Sequence, residues 1–347
     1  MLTKFLRLGF ALMIFSVVLC GCKKPSPVVA AGVDKDDSGW SVQQFYAVPE
    51  GTEYTSISCI NRNTDSATCR ALGNSRNWTK TNYDSLYGYY LVNPENGNSL
   101  QLSIRGDSWM RDNTPAGSLK WVNATTGWFT RAGYLFKSVD GGRRWDWQPT
   151  GCTSSVSAVD FLSDGRMGWA VGNVGLLIRT IDGSKWVCQD ISNLTGHSLN
   201  AVVFLDTNFG WAVGELGSIL HTETGGVSWY PQYSNTAEDL RSVYFSDRRN
   251  GWAVGAHGTI LHSVNGGFDW ALQTSQTIQP LLSVSFTDSV EGWAVGANGA
   301  IVHTKDGGAH WYRQSSGTHR NLRAVAFVSK RLGYAVGEGS NILKFSR

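Results

Sequence analysis

Three histidines, His221, His262 and His303, stand 41 residues apart and invite comparison with a zinc site, since imidazole nitrogen is a common ligand of that metal. Zinc requires its ligand atoms within about 2.0–2.3 Å of a single point. Side chains at equivalent places of a rotational repeat diverge instead. Lys137, Arg179 and Lys344 hold the same place elsewhere, so these positions read as structural and no metal or other cofactor is expected. The carboxylates offer a second chemistry. Glycoside cleavage uses two carboxyl groups about 5–10 Å apart across a cleft. Asp206, Asp247 and Asp288 recur in Phe-x-Asp segments and read as turn residues, whereas Glu215, Glu238, Asp239, Glu291 and Glu338 are not periodic and show no inferable pairing. The expectation is a protein without catalytic residues, with a carbohydrate-active enzyme as the alternative.

The elements that would carry these residues follow from a repeat. Gly-Trp-Ala-Val-Gly stands at 168–172, 210–214, 251–255 and 292–296, with Gly-Tyr-Ala-Val-Gly at 333–337, a shortened copy at Gly127-Trp128 and a decayed one at Cys69–Gly73. The second position of each copy falls at 70, 128, 169, 211, 252, 293 and 334, so every interval but the first is 41 or 42 residues. Each unit holds four strand-like pieces separated by Gly, Asn and Asp, for example Leu240–Phe245, Gly251–Gly255, Thr259–Ser263 and Trp270–Gln273. Val243 and Phe245 share one face, and the pair recurs as Val284/Phe286 and Val325/Phe327. Four strands per unit of about 40–45 residues predict an all-β fold, a seven-bladed β-propeller of four-stranded blades.

The outermost strands end in Trp-x-x-Gln at Trp145, Trp186, Trp229, Trp270 and Trp311, but the last copy has no such strand. Trp40-Ser41-Val42-Gln43 stands alone at the start and is expected to complete the last blade, leaving no open sheet edge. Trp109 is expected as the outer tryptophan of the first blade.

The unit Gly-Trp-Ala-Val-Gly, followed by an Ile-Leu-His-Thr strand and an Asp-Gly-Gly-x-x-Trp turn, resembles the photosystem II stability and assembly factor family, seven-bladed propellers with sialidase-type Asp-box repeats. The resemblance covers residues 40–347. It implies a non-catalytic scaffold that binds a protein partner, a membrane-protein assembly intermediate, through an arginine-rich patch. The chain lacks the Phe/Tyr-Arg-Ile-Pro segment that sialidases share. The Asp-box turns at Asp140, Asp182 and Asp306, relaxed at Thr224 and Asn265, read as blade corners.

The N-terminal residues read as an address. Lys4 and Arg7 precede an apolar run from Leu8 to Leu19 that is too short for a bilayer span, which needs about 20 residues. Leu19-Cys20-Gly21-Cys22 resembles a bacterial lipobox, which predicts a signal peptide over 1–21, lipidation of Cys22 and a flexible tether over 22–39, with an ordinary cleaved secretory signal as the alternative. The protein is then exported and lipid-anchored to the cell envelope, on the periplasmic or lumenal side. Lys23 lacks the aspartate of an inner-membrane retention signal, which points to the outer membrane of a Gram-negative cell. Without residues 1–21 the chain has 28 basic and 27 acidic side chains, which argues against a nucleic-acid partner. The 41% hydrophobic and 12% aromatic content excludes a wholly disordered chain. A monomer is expected.

Four cysteines remain, and an even count in an exported chain suggests disulfides. Of three possible pairings, Cys59–Cys69 and Cys152–Cys188 are favoured, the former because the repeat sets those residues on neighbouring strands. A zinc site is the rival, but no C-x-x-C pair exists.

Residues that depart from the repeat are the candidates for recognition. Extra material around 83–112 carries Tyr87, Tyr89, Tyr90, Arg105 and Arg111, types favoured at interfaces, with a plain solvent-exposed hairpin as the alternative. Arg241, Arg320 and Arg323 cluster at one end of first strands and are expected to crowd the channel mouth, where guanidinium groups suit an acidic peptide or carboxylate.

Overall fold

The computed structural model describes residues 39–43, 53–60, 68–76, 87–92, 99–101, 103–104, 116–191, 193–339 and 341–347. Its strands form seven sheets, six of four strands and one of five. In a representative sheet, Leu240–Phe245, Gly251–Gly255, Ile260–Ser263 and Ala271–Gln273 run antiparallel in chain order. The sheets are numbered here by their first strands: Glu53–Ile60, Ala116–Trp121, Val156–Phe161, Leu199–Phe204, Leu240–Phe245, Leu281–Phe286 and Leu322–Ser329. Each first strand packs on the next, and Leu322–Ser329 packs on Glu53–Ile60. This is an all-β propeller. Helical geometry among the described residues is limited to single 3-10 turns such as Ala256–Gly258.

Aromatic stacking explains why the repeat needs its tryptophan. The ring of Trp211 lies 3.5 Å from that of Phe245 in the next sheet, and the same stack joins Trp169 to Phe204, Trp252 to Phe286 and Trp293 to Phe327. Such pairs add about 0.5–1.5 kcal/mol beyond their area burial. The glycines flanking the tryptophan answer to space. A Cβ on Gly251 would sit 2.2 Å from the Phe245 ring, and one on Gly255 2.0 Å from the Asp239 carbonyl.

Two hydrogen bonds recur at the seams, both present between sheets 3 and 4 and between sheets 5 and 6, whereas between sheets 4 and 5 the outer tryptophan, Trp270, is buried without one. The inner tryptophan donates its indole N–H to an Asp-box carbonyl of the next sheet, as Trp169 does to Gly225, Trp211 to Gly266 and Trp252 to Gly307. The Gln of one outer strand accepts from the outer tryptophan of the next, as Gln189 does from Trp229 and Gln273 from Trp311. Trp40–Gln43 pairs antiparallel with Ile342–Ser346, and Trp40 donates to Gln314 at 3.0 Å, the same bond its counterparts make.

Sheet 1 follows the repeat with different residues. Arg70 takes the tryptophan's place, its guanidinium 4.0 Å from the Trp121 ring and donating to the Ala124 carbonyl at 2.9 Å. The segment expected to be extra material is instead part of this sheet: Tyr87–Val92 is its third strand and Ser99–Gln101 its fourth. That fourth strand carries no tryptophan, and Trp109 lies outside the described residues. The chain has already left for Ser103–Ile104, which pairs parallel with Arg144–Gln148 at the outer edge of sheet 2.

Cys59 and Cys69 are bonded and directly opposite in register, and Cys152 is bonded to Cys188.

Candidate functional site

All seven first strands begin at the same end of the ring, where they line a cavity of roughly 650 Å³. The equivalent position in successive sheets is Thr55, Gly117, Ser157, Asn200, Arg241, Leu282 and Arg323, so two guanidinium groups flank Leu282 on an otherwise small and uncharged rim. A β-bulge puts them there: the ladders shift register between Leu240 and Ser242 and between Leu322 and Ala324, so Arg241 and Arg323 are exposed where strict alternation would align them with buried Val243 and Val325.

Neither arginine is bare. Arg241 Nη2 lies 3.0 Å from Asp239 Oδ2, and the other Asp239 oxygen accepts the Leu216 backbone N–H. Arg323 Nη2 lies 2.5 Å from Glu338 Oε1, which also accepts from the Asn321 side chain. The two guanidinium side chains remain 43% and 40% exposed, and a guanidinium has five N–H donors, so each keeps capacity for an incoming oxygen. Ion pairs this exposed are worth about 0–1 kcal/mol, so an arriving carboxylate displaces or shares them cheaply. Arg320 is exposed in the connection before the seventh first strand and does not line the cavity, because it lies outside the strand whose bulge presents Arg323 there.

Three residues farther along, the first strands of sheets 2 and 3 carry a charged pair that the sequence reading missed. Lys120 Nζ lies 2.6 Å from buried Asp160 Oδ1, and Asp160 Oδ2 accepts the Phe204 N–H of sheet 4. The pair ties sheets 2, 3 and 4 together. Its only trace in the sequence is a charge where the other strands carry Ser58, Val203, Tyr244, Ser285 or Ala326.

The remaining candidates separate. Tyr87, Tyr89 and Tyr90 lie in the third strand of sheet 1, with Tyr90 opposite Gly73. Cys22, Arg105 and Arg111 lie outside the described residues. His221, His262 and His303 each stack on the tryptophan across from them, Trp211, Trp252 and Trp293, with centroids 4.9, 4.8 and 4.3 Å apart. Burial pushes all three below the ordinary histidine pKa. Among the described residues no cluster of three or more His, Cys, Asp or Glu could hold a metal ion. The non-periodic acids also have local partners: Glu215 accepts the Ser198 N–H, Glu238 meets His257, and Glu291 meets both His303 and Arg347.

Residues 182–280 and 271–346 match the family described as photosynthesis system II assembly factor YCF48. Over residues 182–346, just under half of the chain, the sequence is similar to that assembly factor family. No curated protein sequence matches it. Three solved structures are similar to this propeller. "YCF48 bound to D1 peptide" is 19% identical with TM-score 0.68, over 90% of this chain and 98% of that one. YCF48 from Cyanidioschyzon merolae is 17% identical with TM-score 0.68, over 89% and 99%. Virginiamycin B lyase from Staphylococcus aureus is 13% identical with TM-score 0.69, over 89% and 99%. At these identities the likeness is one of fold, and an enzyme shares it.

Proposed function

We propose that this chain is a non-catalytic, membrane-anchored scaffold: a seven-bladed ring over 40–347, closed by its N-terminal strand, tethered through 22–39 and a lipid on Cys22. It takes an acidic or carboxylate-bearing segment of a protein partner, a membrane-protein assembly intermediate, at the mouth marked by Arg241 and Arg323, and acts there as a monomer on the exported side of the membrane. By family, the assembly of photosystem II is the named precedent. The observation that carries the reading is the pair of exposed guanidinium groups flanking Leu282 on a rim built from every first strand. The related propeller whose structure is titled with a bound D1 peptide supports a peptide ligand.

Capture from detergent-solubilised envelope tests it. Wild-type protein should retain a partner, and the double variant Arg241→Glu/Arg323→Glu should lose at least about tenfold in apparent affinity, since two charge-assisted contacts at about 1.5–3 kcal/mol each are reversed in sign. Equal retention by the variant, or no partner together with glycan hydrolysis, overturns the proposal.

A further inference from the structure

The seam between sheets 2 and 3 lacks both hydrogen bonds that close the regular seams. Trp128 Nε1 and Trp186 Nε1 are buried without a partner. Lys137 Nζ occupies the Gly183 carbonyl that Trp128 would reach, and Gln148 turns back to its own strand carbonyls instead of to Trp186. The cause is local: the turn Asp182-Gly183-Ser184-Lys185-Trp186 has one residue fewer than its counterparts. At this seam alone a disulfide crosses. Cys152 lies in the connection leaving Arg144–Gln148, and Cys188 lies in Val187–Gln189, the outer strand of sheet 3. Cys188 is exposed, whereas Cys69 of the other disulfide is 5% exposed inside a strand ladder.

We infer that the Cys152–Cys188 bond is a thiol–disulfide exchange site that fastens this seam, and that its substrate is an external dithiol. A thiolate of the dithiol attacks Cys188 Sγ, forming a mixed disulfide and expelling the Cys152 thiolate. The second thiol of the dithiol then attacks its own sulfur in that mixed disulfide and releases the Cys188 thiolate. Two electrons pass to the protein, both thiolates take up protons, and the dithiol leaves as its disulfide. Attack goes to the sulfur that can be reached, which distinguishes exposed Cys188 from partly buried Cys59 and buried Cys69, both held in a strand ladder. Reduction frees the connection 149–155. That connection forms one wall of a groove of about 350 Å³ whose other wall includes Tyr134 and Trp147, so the oxidised form holds the groove and the reduced form loses it.

The test uses the intact native protein and dithiothreitol, with timed iodoacetamide quenching and peptide mass spectrometry. Cys152 and Cys188 should be alkylated on the order of tenfold sooner than Cys59 and Cys69. In the same time window amide hydrogen exchange should rise across 149–155 and 187–189 and stay low in 240–245. Comparable alkylation rates for the two pairs, or an unchanged exchange pattern after full reduction of Cys152–Cys188, overturns the inference. The Cys152→Ser/Cys188→Ser variant should show the raised exchange without any reductant, and wild-type-like protection in that variant overturns it equally.

Discussion

The seam between sheets 5 and 6 and the seam between sheets 2 and 3 use the same stack and differ in the hydrogen bonds around it. Trp252 lies 3.6 Å from Phe286 and Trp128 lies 3.6 Å from Phe161, with interplanar angles of 15° in both. Yet Trp252 donates to Gly307, while the Trp128 indole N–H is buried and unpaired. Ring stacking depends on two strand positions in adjacent sheets and survives a changed turn. The hydrogen bond depends on where a turn places one carbonyl, and a missing residue removes it. The seam then holds through apolar contact, Lys137 and a covalent bridge.

If that division is right, removing the stacks should hurt both seams alike. Trp252→Ala and Trp128→Ala should each destabilise by about 3–5 kcal/mol in urea unfolding, the usual cost of emptying a large aromatic site. A Trp128→Ala loss below about 1 kcal/mol would mean that the bridge alone carries its seam.

What the sequence revealed divides along the same line. The strand order and the repeat tryptophans follow from periodicity along the chain, a local property, whereas Arg241 and Arg323 reach the cavity through a bulge at the start of their strands. The same reasoning failed for Arg320, which stands just before the strand begins. In sheet 1 the decayed copy at Cys69–Gly73 was legible but its contact was not, because Arg70 does a tryptophan's work by stacking and donating from one planar group, so the expected letter is absent while the contact is kept. The partners Asp239 and Glu338, and the Lys120–Asp160 bridge, are set by neighbouring turns and by different sheets, where no periodicity reports them.

Acid should separate the two kinds of seam. His221, His262 and His303 line the seams of sheets 4 to 6, whereas Lys137 and Arg179 hold the equivalent places in sheets 2 and 3. Burial lowers the folded pKa of each histidine from its ordinary 6.5, so the unfolded chain binds more protons below that value. Their stabilisation is complete above about pH 6.5 and is lost as pH falls toward the folded values. Hydrogen exchange at pH 7.5 and pH 5 should therefore show protection falling in 199–304 more than in 116–180. His221→Phe should flatten the dependence in sheet 4 and keep the stack on Trp211. Equal losses in both regions would remove the histidines from the account.

The smallest effect isolates the outer hydrogen bond. Trp229 Nε1 donates to Gln189 Oε1, while the equivalent Trp186 Nε1 has no partner. Replacing either indole by phenyl removes similar volume and leaves an apolar ring in place. Only in sheet 4 does it also strand an acceptor, at a cost of about 1 kcal/mol. Trp229→Phe should therefore destabilise by about that much more than Trp186→Phe. Removing the Trp186 N–H also relieves a buried donor of its desolvation, which works in the opposite direction from the lost volume and narrows the loss at that seam further. Equal losses, measured as shifts in urea midpoint at constant m-value, would show that the Gln–Trp bond contributes nothing beyond the ring it holds.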